Sequence, residues 1–146
     1  MSRRRLALLP IAGLLLAACA GGSGGPSTSM PPASASTRIE VKLTDALRME
    51  PAAMTVPAGI PVTFVVTNAG AIEHEFYLGD EAAQADHEAE MQAGGMRHGD
   101  PDGLSLKPGE SKELTHTFAG AGETLAGCHV AGHYAGGMKA TITVSG

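Results

Sequence analysis

Apolar and polar residues alternate along most of the chain beyond residue 38, with the period of two that places one face of a β-strand in a core. Gly, Pro and Asn turn signals separate the alternating stretches. Clear stretches lie at 39–44, 61–68, 72–78, 111–118 and 139–144, and shorter ones at 54–56, 104–106 and 124–128. The pattern predicts seven or eight short strands.

One segment, 80–92, interrupts the alternation. Glu, Ala, Gln and His dominate it and β-branched residues are absent, which favours a helix. Gly94-Gly95 follows and would end that helix. The whole pattern therefore predicts an all-β chain, a Greek-key β-sandwich with a short helical or irregular insertion.

The first 18 residues do not belong to this pattern. Three arginines precede the apolar stretch 6–16, and small residues follow it, which is typical of a secretory signal peptide. The run Leu16-Ala17-Ala18-Cys19 is similar to a bacterial lipobox, in which the cysteine is lipidated. The alternative is cleavage that leaves Cys19 as an incidental thiol. We expect a signal peptide at 1–18 and a lipoprotein held at a membrane in the bacterial periplasm or at the cell surface.

The stretch that follows predicts a flexible tether. Residues 19–37 consist almost entirely of Gly, Ser, Pro, Ala and Thr, which cannot bury enough apolar surface to fold. The folded domain is then 38–146, and we expect it to be monomeric. Loss of the signal peptide removes its three arginines and moves the formal net charge from −5 to −8. An acidic domain of this kind argues against a nucleic-acid partner.

The segment 128–138 carries the candidate chemistry. Cys128, His133 and Met138 lie between two predicted strands, in a loop whose glycines allow tight turns. His74 lies on a distant strand, and the end of a sandwich can bring it beside this loop. Two imidazoles, one thiolate and a weak axial thioether form the ligand set of a blue-copper electron-transfer site.

These residues resemble those of the cupredoxins, the family of azurin, plastocyanin and rusticyanin. The Cys-x4-His-x4-Met spacing carries the likeness, together with 56–64 and the final strand 137–144. The segment 73–76 and the His/Met-bearing insertion are similar to bacterial cupredoxins associated with copper tolerance. The resemblance implies one type 1 copper site, redox between Cu(I) and Cu(II), and periplasmic copper handling. One departure is Glu75, where many cupredoxins have an asparagine that braces the cysteine loop.

Each predicted ligand also has an ordinary interpretation. Cys128 could be a buried thiol, Met138 a core methionine and His74 a hydrogen-bonded strand histidine. His129 competes with His133, but in extended backbone it points to the face opposite Cys128. We expect His129 at the surface or packed against the insertion.

The insertion contains a possible second copper site formed by His87, Met91, Met96 and His98. His87 and Met91 are four residues apart, so a helix would place them on one face. The alternative is a solvated acidic helix followed by a loop.

Three functions are compatible with this sequence. The first is an electron carrier that docks transiently with redox partner proteins through Val130, Ala131, Tyr134 and Ala135. The second is a copper-tolerance protein that binds, buffers or oxidises copper. The third is an exported β-sandwich without a metal. Four protein ligands leave no vacant position for a substrate, so we expect a binding protein rather than an enzyme.

Overall fold

The structure, a computed structural model, describes residues 36–94 and 100–146. All of them belong to one unit, Pro32–Gly146. The predicted signal peptide, the predicted lipidation site Cys19 and the tether up to residue 35 lie outside the described residues, as do Met96 and His98. Within the part that is described, no helix has the length and apolar character to cross a bilayer.

Nine strands and one helix form the regular structure of the described residues. In chain order they are β1 (Thr37–Thr44), β2 (Arg48–Glu50), β3 (Ala53–Pro57), β4 (Pro61–Asn68), β5 (His74–Gly79), α1 (Glu81–Gln92), β6 (Gly103–Leu106), β7 (Ser111–Thr117), β8 (Gly122–Gly127) and β9 (Lys139–Ser145). One sheet has the order β2-β1-β4-β7 and the other the order β3-β9-β8-β5-β6. This fold of two β-sheets and one short helix confirms the predicted fold class.

Two local features differ from the sequence prediction. β2 was not predicted, because only three residues pair with the end of β1 and a single one, Met49, is buried. The strand predicted to begin at Ile72 begins at His74. The backbone N–H groups of Ala71 and Ile72 donate instead to the carboxylate of Asp45, at 2.7 and 3.4 Å, which keeps this segment outside the sheet.

The core lies between the two sheets, because the apolar side of each alternating strand faces the other sheet. Val62, Phe64 and Val66 of β4 are fully buried. The ring centroid of Phe64 lies 5.4 Å from that of Phe76 in the opposite sheet and 6.4 Å from that of Phe118. Since burying one such side chain contributes about 1.5–3 kcal/mol, this aromatic cluster is a major source of stability.

The strand directions bring the predicted metal ligands to one end of the sandwich, called here the ligand end. β1 and β4 are parallel, so both reach this end, where Asp45 follows β1 and the loop 69–73 leads from β4 to His74. β8 ends immediately before Cys128, and β9 begins immediately after Met138. Side chains from three separate parts of the chain therefore meet there.

The described chain enters and leaves the domain at the opposite end. Thr37 opens β1 and pairs with Val62 near the start of β4. Ser145 closes β9 beside Pro57, and its carbonyl accepts a hydrogen bond of 2.8 Å from the N–H of Ala58. Both ends of the domain are thus separated from the ligand end by the length of the strands.

Helix α1 occupies the predicted insertion and begins with a conventional N-cap. The side chain of Asp80 accepts a hydrogen bond of 2.9 Å from the N–H of Ala83. The helix ends near Gly94, whose φ of 86° lies in the left-handed region that favours glycine. Its buried residues, Gln84 and His87, are polar. The helix therefore packs on the sheet through hydrogen bonds rather than through an apolar stripe.

Candidate metal centre

The loop between β8 and β9 is held in shape by its own backbone. The N–H of His133 donates to the carbonyl of Val130 at 2.9 Å, and the N–H of Met138 donates to the carbonyl of His133 at 3.0 Å. The N–H of Cys128 in turn donates to the carbonyl of Met138 at 3.1 Å. These bonds fix Cys128, His133 and Met138 relative to one another.

His74, Cys128 and His133 form one buried cluster of donor atoms. The Nδ1 atoms of the two histidines lie 3.3 Å apart. The Sγ of Cys128 lies 3.4 Å from Nδ1 of His133 and 4.0 Å from Nδ1 of His74. Donors that each lie about 2.0–2.3 Å from a shared ion are about 3.3–3.8 Å apart. Two of the three distances lie in this range and the third, from Sγ to His74, is slightly longer, so the spacing suits a single ion. The structure therefore brings together three of the four predicted ligands.

Met138 lies at the end of the same loop with its side chain fully buried. Its main chain is hydrogen bonded to both Cys128 and His133. Thiolate and thioether sulfur are soft ligands and imidazole nitrogen is borderline, a set that suits copper. The axial position of the Met138 thioether stays a prediction.

The protonation of the cluster follows from its burial. Burial raises the pKa of the Cys128 thiol to about 11, although a hydrogen bond from the Glu75 N–H opposes this effect. A metal ion that binds the sulfur must therefore replace its proton. Burial, together with the nearby His74, lowers the pKa of His133 and favours the neutral ring that a metal needs. His133 is 8% exposed, whereas His74 and Cys128 have no exposed surface.

Asp45 orients His74. Nε2 of His74 donates to Oδ1 of Asp45 at 3.1 Å, which places the ring proton on Nε2 and leaves the Nδ1 lone pair directed at the cluster. A hydrogen bond from the Ala71 N–H, assisted by His74, lowers the pKa of the Asp45 carboxyl. A Cβ at Gly70 would collide with that carboxylate, so the close approach requires glycine. Asp45 was not among the predicted site residues, because no motif links it to a histidine 29 residues away.

Glu75, the departure noted in the sequence, lies beside the cysteine and is buried. Its N–H donates to Cys128 Sγ at 3.2 Å, and its Oε2 accepts a bond of 3.1 Å from the N–H of His129. Its Oε1 accepts a bond of 2.9 Å from Nε2 of His87. The carboxylate therefore braces the cysteine loop from the side that faces helix α1.

His129 is buried against the insertion, one of its two expected positions. Its ring nitrogens face Gln84 and Glu88 of α1, each at 2.6 Å. His133, and not His129, lies with His74 and Cys128 in the donor cluster.

The members of the predicted second copper site have different surroundings. His87 is buried, with its ring stacked on Tyr77 at a centroid distance of 3.9 Å and its Nε2 bonded to Glu75. Met91 instead lines a groove of about 250 Å³ beside Val130 and Ala131. Because Met96 and His98 lie outside the described residues, the second site stays a prediction.

Known relatives match about three quarters of the chain. No protein-family model matches the chain. The copper-resistant cuproprotein CopI of Rubrivivax gelatinosus is 38% identical over 113 residues, which span 77% of this chain and 68% of that protein. The copper-resistant cuproprotein CopI of Pseudomonas aeruginosa is 37% identical over an alignment of 142 positions, which spans 77% of this chain and 78% of that protein.

Solved structures of auracyanins have the same fold. The dithionite-reduced auracyanin of Roseiflexus castenholzii superposes with a TM-score of 0.68 at 28% identity, over 76% of this chain and 98% of that one. Auracyanin A of Chloroflexus aurantiacus, described as a "blue" copper protein, superposes with a TM-score of 0.65 at 26% identity, over 75% and 98%. With the relatives above, this similarity assigns the chain to the cupredoxins, and within them to the family of the copper-resistant cuproprotein CopI.

Proposed function

We propose that this chain binds one copper ion and carries single electrons as an exported blue-copper protein. The ligands are His74, Cys128, His133 and Met138. The observation that carries the proposal is the buried cluster of one sulfur and two imidazole nitrogens at spacings that suit a single ion. The blue-copper neighbours and the cuproprotein relatives support the choice of copper.

When bound, copper supplies one-electron chemistry by alternating between Cu(I) and Cu(II). The chain's own residues hold the ligands in one arrangement. Asp45 fixes the ring of His74, and the backbone bonds of the loop fix Cys128 and His133. Burial excludes water from the sulfur. A rigid, dry site changes its shape little, which favours electron transfer.

The accessibility of the ligands supports a carrier rather than an enzyme. His74, Cys128 and Met138 are fully buried, and only an edge of His133 reaches the surface. Catalysis at a metal requires a position that a substrate can reach. We therefore propose that electrons pass through the edge of His133.

The surface around that edge is the proposed docking site for a redox partner. Ala131 and Ala135 are exposed, and Val130 and Tyr134 are half-buried. Such a small apolar patch suits brief encounters, which bury little area. We propose transient association with redox proteins, and a location at the membrane through a lipid on Cys19. The support for the anchor is the sequence 1–37 alone.

Addition of Cu(II) to the purified protein tests the proposed site. We expect binding of one ion per chain and an intense visible band from charge transfer between the thiolate and copper. Absorption spectroscopy combined with metal analysis measures both quantities. A protein that stays colourless with excess Cu(II) would leave only the metal-free interpretation.

A second function, copper tolerance, is favoured by the relatives, which are named copper-resistant cuproproteins. Here the same site, with the insertion, would bind, buffer or oxidise copper. Deletion of the gene would then slow growth in added copper, and a copy with Cys128→Ser would not restore it. Growth unaffected by the deletion would contradict this role. Binding of more than one copper ion per chain would favour buffering, provided that replacing Met91, Met96 and His98 lowers this number.

Replacement of Asp45 by alanine is expected to weaken Cu(II) binding about 10–100-fold, because His74 loses the acceptor that fixes its ring. Asp45→Asn keeps an oxygen acceptor and should lose less. Competition with a chelator measures the affinity. Asp102→Ala, which removes the carboxylate 3.3 Å from Nδ1 of His116, is the matched control. An Asp45→Ala protein with the affinity of the wild type would contradict the orienting role.

A further inference from the structure

Helix α1 is joined to the metal-binding loop by buried hydrogen bonds. The side chains that the helix buries, Gln84 and His87, are polar, and the loop residue that they approach, His129, is 2% exposed. Groups buried in this way are costly unless they are paired. An apolar face would have been sufficient to cover the sheet, so the polar contacts call for another explanation.

Gln84 anchors the helix to the sheet and holds His129. Its Nε2 lies within hydrogen-bond distance of the carbonyls of Tyr77, Gly79 and Leu125, at 3.1, 3.3 and 3.3 Å. These acceptors orient the amide, so that its Oε1 lies 2.6 Å from Nε2 of His129. The position of the His129 ring is thereby tied to both β5 and β8.

The His129 ring is held from two further directions. Its Nδ1 donates to Oε2 of Glu88 at 2.6 Å, and this bond lowers the pKa of the Glu88 carboxyl. The ring of Tyr134, from the same loop, stacks on it at a centroid distance of 4.5 Å and an angle of 19°. With both nitrogens bonded and one face covered, the ring has no alternative orientation.

A second connection runs from the helix to the sulfur itself. His87 donates to Glu75, whose carboxylate accepts from the N–H of His129 and whose own N–H donates to Cys128 Sγ. Both connections therefore end at the neighbouring residues Cys128 and His129.

The fit of the helix against the loop is close. A Cβ at Gly127, the residue before Cys128, would collide with Oε1 of Gln84. It would also lie 2.8 Å from Cε2 of Tyr134 and 3.0 Å from Nε2 of His129. The absence of a side chain at this position allows the helix residue to reach the loop.

We propose that helix α1 is a positioning element for the metal site, and that His129 is the positioning residue through which it fixes Cys128. This inference rests on the proposed function. Neither His129 nor the helix supplies a ligand in this arrangement. The helix holds Cys128 Sγ in its metal-binding position even before an ion arrives. This slows release of the ion and fixes the bond geometry at the sulfur.

His129→Phe tests the proposal, because it keeps a ring for Tyr134 to stack on and removes both hydrogen bonds. We expect copper loss to a chelator to be about 10–100-fold faster and the intensities of the visible bands to change. In the metal-free protein, the amide hydrogen of Cys128 should exchange faster. The matched control is His116→Phe, because His116 lies on β7 of the other sheet and the change removes its bond to Asp102.

Glu88, a half-buried residue of the helix, gives a second test. Glu88→Ala should speed copper release, and Glu88→Gln, which keeps an oxygen acceptor for His129, should restore most of the difference. A purely structural helix would lower the thermal midpoint in these variants while leaving the release rate and the spectrum unchanged, and that result would overturn the proposal. Lack of a band in the wild type would instead overturn the proposed function.

Discussion

Replacement of Cys128 by serine is expected to abolish the visible charge-transfer band completely. The band requires a sulfur bound to copper, and a serine hydroxyl is neither soft nor deprotonated near neutral pH. Removal of a residue that only orients a ligand weakens metal binding about 10–100-fold. Removal of the ligand Cys128 itself should weaken copper binding by a larger factor. Absorption spectroscopy and competition with a chelator measure these effects.

The control for this variant is a test that the Cys128→Ser protein still folds. Serine is close in size to cysteine, and its hydroxyl can accept the hydrogen bond that the Glu75 N–H now donates to the sulfur. We therefore expect a circular dichroism spectrum like that of the metal-free wild type. A serine variant that keeps the visible band would show that another residue binds the ion, and the proposed site would be wrong.

Replacement of Phe64 by alanine is expected to produce the largest loss of stability, about 3–5 kcal/mol in the free energy of unfolding. The ring is fully buried and contacts both Phe76 and Phe118, so its removal leaves a cavity between the sheets. Equilibrium unfolding of the metal-free protein in urea measures the loss. Metal-free protein is required because bound copper would add stability of its own.

Phe64→Leu is the matched control for this substitution. It keeps most of the buried volume and loses only the ring contacts, so its cost should be clearly smaller. A loss below about 1 kcal/mol for Phe64→Ala would mean that the two sheets rearrange to fill the space, since a rigid cavity costs more.

The strands and the candidate ligands follow from local patterns in the sequence. Alternation at 61–68 predicts β4 to the residue, since one face of this strand is buried along its whole length. The types and spacing of Cys128, His133 and Met138 predict a ligand loop, because few other functions use a thiol, an imidazole and a thioether together.

The features that were not predicted depend on contacts between distant residues. Asp45 becomes the partner of His74 only because β1 and β4 run in the same direction and end side by side. The composition of 80–92 predicts a helix, and one interpretation of it was a solvated acidic helix. The solvated face is only one side of the observed helix. Its buried polar side, Gln84 and His87, has partners on β5, β8 and the ligand loop that no local pattern identifies.

The chain enters and leaves the domain at the end away from the ligands, and this arrangement has a practical consequence. A surface, an affinity tag or an electrode linked before Thr37 or after Ser145 would be attached to the rear of the domain. The edge of His133 would then face outwards, towards solution. Immobilisation at either end of the described domain therefore leaves the front free for the proposed electron exchange, whereas coupling through a side chain of the 130–135 loop would block it.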